Sequence, residues 1–419
     1  MLLKHIKTVF YLFSSKGLSS FFAFIAQVLL ARLLTQENYG TISFYIILIN
    51  ITSSIIGFGL GNFWLRRFAV EKRNASRWIR PTLLSILLLT GISLPFYFLI
   101  PYFSLGAHSL SISIALLPLL FFQGLGSIVI ASFQLSNKYK KLSYYIMIKN
   151  SILMISTLTL LILDSSFDLF VVSYGMLAFF VLLYSLTAIK KFNVDVNDVS
   201  YKGSDPELPK IKTVLKFAWP YGIQGTLYML YYQVDIIMIT IFLGAISTGI
   251  YNAAFTIISL IFVFPSVLFQ IYLLPKVNIW IANKDFKKIN FLRNRLTLYV
   301  LLLGIVIMVA LYYISEFLII LLYGMEFTNS IMLLNVLILS IPFRLVSNSL
   351  GVIFASEKMV SYKVYIQGGG ALVNIALNII LLNVIGVVGA AVSTVITEMI
   401  VCLLMYLLSY KIKKEMKEV

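Results

Sequence analysis

Twelve apolar runs follow one another along this chain, at about residues 12–34, 40–64, 82–103, 111–134, 143–163, 168–189, 214–243, 249–274, 296–320, 329–355, 363–383 and 387–409. A helix rises about 1.5 Å per residue, so roughly 20 residues cross a hydrocarbon core of about 30 Å. None of the runs alternates apolar with polar positions as a lipid-facing β-strand must. The pattern therefore predicts an all-α integral membrane fold with about twelve transmembrane helices. The joints between runs are of two kinds. Those after the even-numbered runs are crowded with cations: Arg66 to Arg80, Lys138 to Lys141, Lys190 to Lys216, Lys276 to Arg295, Lys358 with Lys363, and Lys411 to Lys417. The joints near residues 36–38, 104–109, 164–168, 244–248, 316–329 and 383–386 contain no Lys or Arg. Positive charge is retained on the cytoplasmic side, so this alternation places both termini inside. Trp64, Trp78, Trp219 and Trp280 all fall at the basic ends of runs, where an indole suits the headgroup layer.

Composition agrees. Hydrophobic residues make up 60% of the chain and charged ones 12%, against globular norms of about half and a quarter. The formal charge of +17 sits beside the apolar runs, without the interleaved basic and aromatic segments of a nucleic-acid domain. It anchors topology and meets anionic lipid headgroups instead. The one cysteine, Cys402, and two distant histidines, His5 and His108, allow no internal disulfide and no metal-ligand spacing, so no cofactor is expected. Residues Met1 to Lys16 are basic like a signal peptide, but no small-residue cleavage site follows, which makes this an uncleaved first span. The glycine clusters at Gly57 to Gly61 and Gly368 to Gly370 precede no Lys-Ser/Thr pair, which argues against a nucleotide loop.

The longest polar stretch, with several Asp, Asn, Pro and Lys residues, falls mid-chain. It divides the sequence into an N-lobe at 1–195 with spans one to six, a cytoplasmic linker at 196–212, and a C-lobe at 213–419 with spans seven to twelve. An even number of spans per lobe puts both lobes in the same orientation, as parallel repeats require. Tyr39-Gly40 after the first span and Gly249 to Tyr251 after the seventh are a weak internal echo. Two such lobes around a central cavity would work by alternating access.

Three stretches carry a family likeness: Leu29 to Gly40 (LLARLLTQENYG) with Phe44; Asp235 to Ala254, containing Phe242 to Gly244 and Gly249 to Ala254; and Gly386 to Ala391 leading to Thr394 and Glu398. With the six-plus-six layout, the chain resembles the polysaccharide transporter family, the Wzx-type O-antigen and polysaccharide flippases of the multidrug/oligosaccharidyl-lipid/polysaccharide (MOP) exporter superfamily, to which MATE transporters also belong. The resemblance implies movement of an undecaprenyl-pyrophosphate-linked oligosaccharide across the bacterial inner membrane, coupled to a proton or sodium gradient. It also implies membrane lipids, a polysaccharide polymerase and chain-length machinery as candidate partners, and no nucleic acid.

Charges inside spans cost about 2.5–3.5 kcal/mol on insertion scales, so each is a functional candidate. Four cations, Lys16, Arg32, Lys149 and Arg344, are candidates for the pyrophosphate. Arg344 leads: it lies midway along span ten, two residues after Pro342, which frees a carbonyl near Ile338. A structural pair with Glu398, also mid-span, is the competing reading. Lys16 lies among Ser14, Ser15, Ser19 and Ser20, and Lys149 beside Asn150 and Ser151; each faces either a cavity or the headgroups. Arg32 is a substrate contact or a cap on carbonyls or Glu37. A carboxyl in an apolar interior can take up a proton or Na⁺, so Asp235 and Glu398 are the candidate coupling sites. Tyr228, Tyr231 and Tyr232, near Asp235, are weak candidates for sugar contact.

Two other readings fit the sequence less well. A MATE-like antiporter of small cationic molecules calls for an acidic interior, whereas here cations outnumber carboxylates within the spans. A membrane-bound polymerase or ligase needs a large outer loop and a nucleophile, base and orienting group together, and neither is present. No enzymatic activity is expected.

Overall fold

In a computed structural model, residues 2–163, 166–197, 208–283, 285–355 and 360–417 are described, with described side chains between residues 17 and 410. Among these residues there is helix and no strand. Ten helices are long and apolar enough to cross a membrane, and Gly17–Leu33 is a shorter apolar helix. One of the ten, Ile211–Val267, is broken at Gly244, whose φ of 82° and ψ of 179° interrupt the hydrogen-bond ladder; glycine adopts this conformation without a Cβ clash. Among the described residues, counting its two arms separately and adding Gly17–Leu33 gives the twelve spans that the apolar pattern predicts, and the chain is a multi-pass membrane protein.

Two compact units are formed. The first comprises residues 1–26 and 45–229, the second 27–44 and 230–419. The chain thus passes from one unit to the other within the first span, Leu2–Leu33, back again within the second, Gln36–Gly57, and across once more within the seventh. Most of the polar stretch assigned to the linker, residues 198–207, lies outside the described residues.

In the first unit, the fourth span, Leu117–Leu135, packs on the sixth, Phe167–Asn197, and on Leu60–Glu71, which continues the second. Its basic end corrects one expectation: Trp64 and Trp78 are buried in protein instead of facing headgroups. Trp64 donates to Thr82 Oγ1 at 3.0 Å and stacks on Phe192, while Trp78 donates to Glu71 at 2.8 Å. Glu71 also binds Arg67 at 3.2 Å and Arg77 at 2.9 Å. Local pairing has drawn these indoles inward, since a buried N–H needs an acceptor and finds one here. Trp219 remains 57% exposed.

In the second unit, spans eleven (Val360–Ile385) and twelve (Val387–Lys417) turn about Gly386 and pack along each other. Span nine, Thr297–Tyr323, packs on span ten, and span ten on span twelve. Span ten is itself interrupted: Asn329–Leu337 gives way to a 3₁₀ turn at Ile338–Ser340, and the helix restarts at Ile341 with Pro342 in its first turn. Proline tolerates that position because the first-turn N–H groups have no helical acceptor. The backbone approaches closely at Gly40, where a Cβ would fall within 3 Å of the Ala245 carbonyl and the Gly249 nitrogen. Outside the spans, Asp285 caps the Phe286–Phe291 turn, and its hydrogen bond with the Lys288 ammonium, at 2.7 Å, holds its carboxyl below the usual range.

Candidate functional site

The second unit gathers most of the intramembrane charge. Asp235 lies on the arm of the broken helix before Gly244 and is 3% exposed. No cation faces it among the described residues. Its Oδ2 accepts from Thr394 Oγ1 at 2.6 Å and from Tyr251 at 3.1 Å, and its Oδ1 accepts from Asn378 Nδ2 at 2.6 Å. Asn378 Nδ2 also lies 3.0 Å from Asn374 Oδ1, one helical turn away on span eleven. The Asn378 Oδ1 is buried and has no hydrogen-bond partner. Four helical segments therefore converge on one carboxylate and surround it with oxygen-bearing neutral side chains.

One turn along two of these helices lies a different arrangement. Glu398 follows Thr394 by four residues, and Tyr231 and Tyr232 precede Asp235 by four and three, so both sets share helix faces. Arg344 Nη1 donates to Glu398 Oε1 at 3.1 Å, with side chains 8% and 3% exposed. The guanidinium also lies 3.9 Å from the centroid of the Tyr232 ring and 4.7 Å from that of Phe262. Tyr232 donates to Ser259 Oγ at 2.9 Å, which fixes the ring over the cation. Tyr231 lies against Gly370: a Cβ there would be 3.3 Å from its ring.

The other sequence-nominated residues stand apart. Arg32 donates to the carbonyls of Leu321 and Leu322, the former through a short contact, at the C-terminal end of span nine. A cation is favoured there by the helix dipole and by carbonyls that lack helical donors. Gln36 reinforces this junction on the Glu326 carbonyl. Lys149, in span five of the first unit, is half-buried, and no carboxylate pairs with it among the described residues. Its neighbour Asn150 donates to Ser19 Oγ at 2.8 Å, tying span five to span one. Tyr228 belongs to that first unit, unlike Tyr231 and Tyr232. The Lys16 side chain lies outside the described ones.

Of the neutral members of this network, Tyr251 and Thr394 fall in the family-like stretches, whereas Asn374 and Asn378 were missed by reading charges alone. Asn374 and Asn378 share one face of an apolar helix at a spacing of four, a signal visible in the sequence. Asn252 is another: its amide donates to Tyr39 at 2.9 Å and Ser43 at 2.8 Å, so the tyrosine of one family-like stretch meets the asparagine of another.

The sequence matches the family described as "Polysaccharide biosynthesis protein" over residues 6–277, and the family described as "MatE" over residues 220–380. Among solved structures it is similar to the lipid II flippase MurJ in an inward closed conformation, with a TM-score of 0.73, 19% identity, and coverage of 96% of this chain and 87% of that one. An inward-facing multidrug resistance MATE family transporter of the MOP superfamily gives 0.71 at 10% identity, covering 96% of each chain. A MOP superfamily transporter from Pyrococcus furiosus, described as having a binding pocket of reverse polarity, gives 0.65 at 12% identity over 99% of this chain and 97% of that one. No curated protein sequence matches. The fold is that of the MATE and MurJ structures.

Proposed function

Because the chain belongs to the polysaccharide biosynthesis protein family and has a MOP transporter fold, we propose that it is a flippase for an undecaprenyl-pyrophosphate-linked oligosaccharide in the bacterial inner membrane. The observation that carries this reading is the unequal fate of the intramembrane cations. Arg344 is neutralised by Glu398 and Arg32 is spent on carbonyls, whereas Lys149 stands half-buried within a span with no carboxylate against it among the described residues. A cation left unpaired in low dielectric attracts an anion, and a phosphate with several acceptor oxygens suits an ammonium. Lys149 thereby replaces Arg344 as the leading phosphate contact.

Coupling is assigned to Asp235. Its partners are two hydroxyls and one side-chain amide, neutral groups whose oxygens suit a hard cation. Turning the Asn378 amide over would set its unpartnered Oδ1 beside Asp235 Oδ1 and Asn374 Oδ1, with Thr394 and Tyr251 contributing hydroxyls. That arrangement favours Na⁺ over a bare proton as the coupling ion.

The test is export in a strain lacking the gene. Lipid-linked repeat units should accumulate on the cytoplasmic face, and wild-type protein should restore surface polymer, Lys149→Arg should retain part of it, and Lys149→Gln should not. Unchanged polymer in the deletion strain would overturn the flippase. The MatE match over residues 220–380 favours a second reading, antiport of small cationic compounds. It predicts altered drug tolerance in the deletion strain with no change in polymer.

A further inference from the structure

Away from these clusters, the second unit contains a cavity of about 820 Å³ between spans nine, ten and twelve. Its walls are apolar, with Leu298, Leu301, Phe343 and Leu403 prominent, and Leu298 and Leu403 are each more than half exposed. Such a surface in a membrane-spanning chain faces lipid. One end is different: Arg293, Asn294, Tyr406 and Tyr410 line it together.

Arg293 is an unusual cation. It is 5% exposed, yet no carboxylate pairs with it among the described residues, and its Nη1 is buried without a hydrogen-bond partner. Its guanidinium lies 3.8 Å from the Tyr410 ring centroid, and Nε donates to Asn294 Oδ1 at 3.0 Å. The backbone turns it inward through a π-helical segment, Leu292–Leu296, where Thr297 Oγ1 reaches back to the Leu292 carbonyl at 3.1 Å. The extra residue in that turn buries Leu292 and Arg293 side by side, in place of the usual alternation of faces. In sequence, this end of the groove follows Lys287 and Lys288 and precedes Lys411, Lys413 and Lys414, which places it at the headgroup-facing ends of its helices.

We propose that this groove binds an anionic phospholipid of the bilayer, with its phosphate on Arg293 and an acyl chain along Leu298, Leu301 and Leu403. A buried guanidinium with a free N–H demands an anionic acceptor, and phosphate oxygens match its planar fork. The single cation, flanked by neutral Asn294, Tyr406 and Tyr410, fits the one charge of a phosphodiester better than the greater charge of a pyrophosphate. The assignment is independent of the transported substrate.

Native mass spectrometry of the full chain in detergent tests it, by titration with phosphatidylglycerol, phosphatidylcholine of identical acyl chains, and a polyprenyl monophosphate. Phosphatidylglycerol should bind about tenfold more tightly than phosphatidylcholine, whose phosphate is already offset by its own choline cation and gains less from Arg293. Arg293→Gln should erase that preference and Arg293→Lys keep part of it. Leu403→Trp fills the groove while leaving Arg293 intact, and should weaken phosphatidylglycerol binding even if Arg293→Gln fails to fold. Equal binding of the two phospholipids, an unchanged preference in Arg293→Gln, unchanged binding in Leu403→Trp, or tighter binding of the polyprenyl phosphate than of phosphatidylglycerol would each overturn the assignment.

Discussion

Asp235 and Glu398 are both carboxylates on membrane-spanning helices, both at most 3% exposed, and about one helical turn apart along shared helix faces, yet they are held in opposite ways. Glu398 has a guanidinium against it, braced by Tyr232 and Phe262. Asp235 has hydroxyls and amides only. An ion pair already in place satisfies a buried charge and gives an incoming cation little to gain. A carboxylate solvated only by dipoles still offers its charge. The difference separates a structural brace from a site able to exchange an ion, within one unit and on neighbouring turns.

Breaking the brace should have the largest effect. Arg344→Ala leaves Glu398 buried without its counter-charge, and a loss of about 3–5 kcal/mol is expected in unfolding measurements in detergent. The double substitution Arg344→Met with Glu398→Leu should recover most of that stability, because an apolar pair removes both desolvation costs. If export also recovers in the double variant, Arg344 has no direct part in holding substrate. Asp235→Asn should do the reverse: stability near wild type, but loss of the ion dependence of flux. Flux in reconstituted vesicles under imposed Na⁺ or proton gradients checks this, and retention of ion dependence in Asp235→Asn would remove the contrast between the two carboxylates. Tyr232→Leu takes the aromatic face from Arg344 and should cost about 0.5–2 kcal/mol of stability while leaving ion dependence intact. Arg32→Gln, which loosens only a helix end, should cost about 0.3–1 kcal/mol.

Twelve spans and the break at Gly244 were legible because a bilayer imposes one length and one polarity on every crossing helix. The Arg344–Glu398 pair was legible as one of two readings, since two lone charges at mid-span seldom remain apart. The Asp235 cluster was only half visible. Its charge stood out, whereas Asn374, Asn378 and Tyr251 carry no comparable insertion cost and gain meaning only through convergence of helices distant in sequence. Trp64 and Trp78 misled for a related reason: position at a span's end set an expectation that Thr82 and Glu71 overrode by pairing with the indoles. The residues that the two units exchange, 27–44, were not legible from counting spans, because membership follows from side chains such as Tyr39 and Ser43, not from the linker.

That exchange has a consequence in time. Tyr39 and Ser43 leave the ribosome more than 200 residues ahead of Asn252, which supplies their hydrogen bonds. At about 5–20 residues per second, these early segments wait roughly 10–40 s for their partner. During that interval the Tyr39 and Ser43 oxygens lack the amide donor they have in the folded chain, and are open to water, lipid or an insertion chaperone. Asn252→Leu would make the wait permanent, and a pulse-chase assay should then find the full-length protein degraded soon after synthesis.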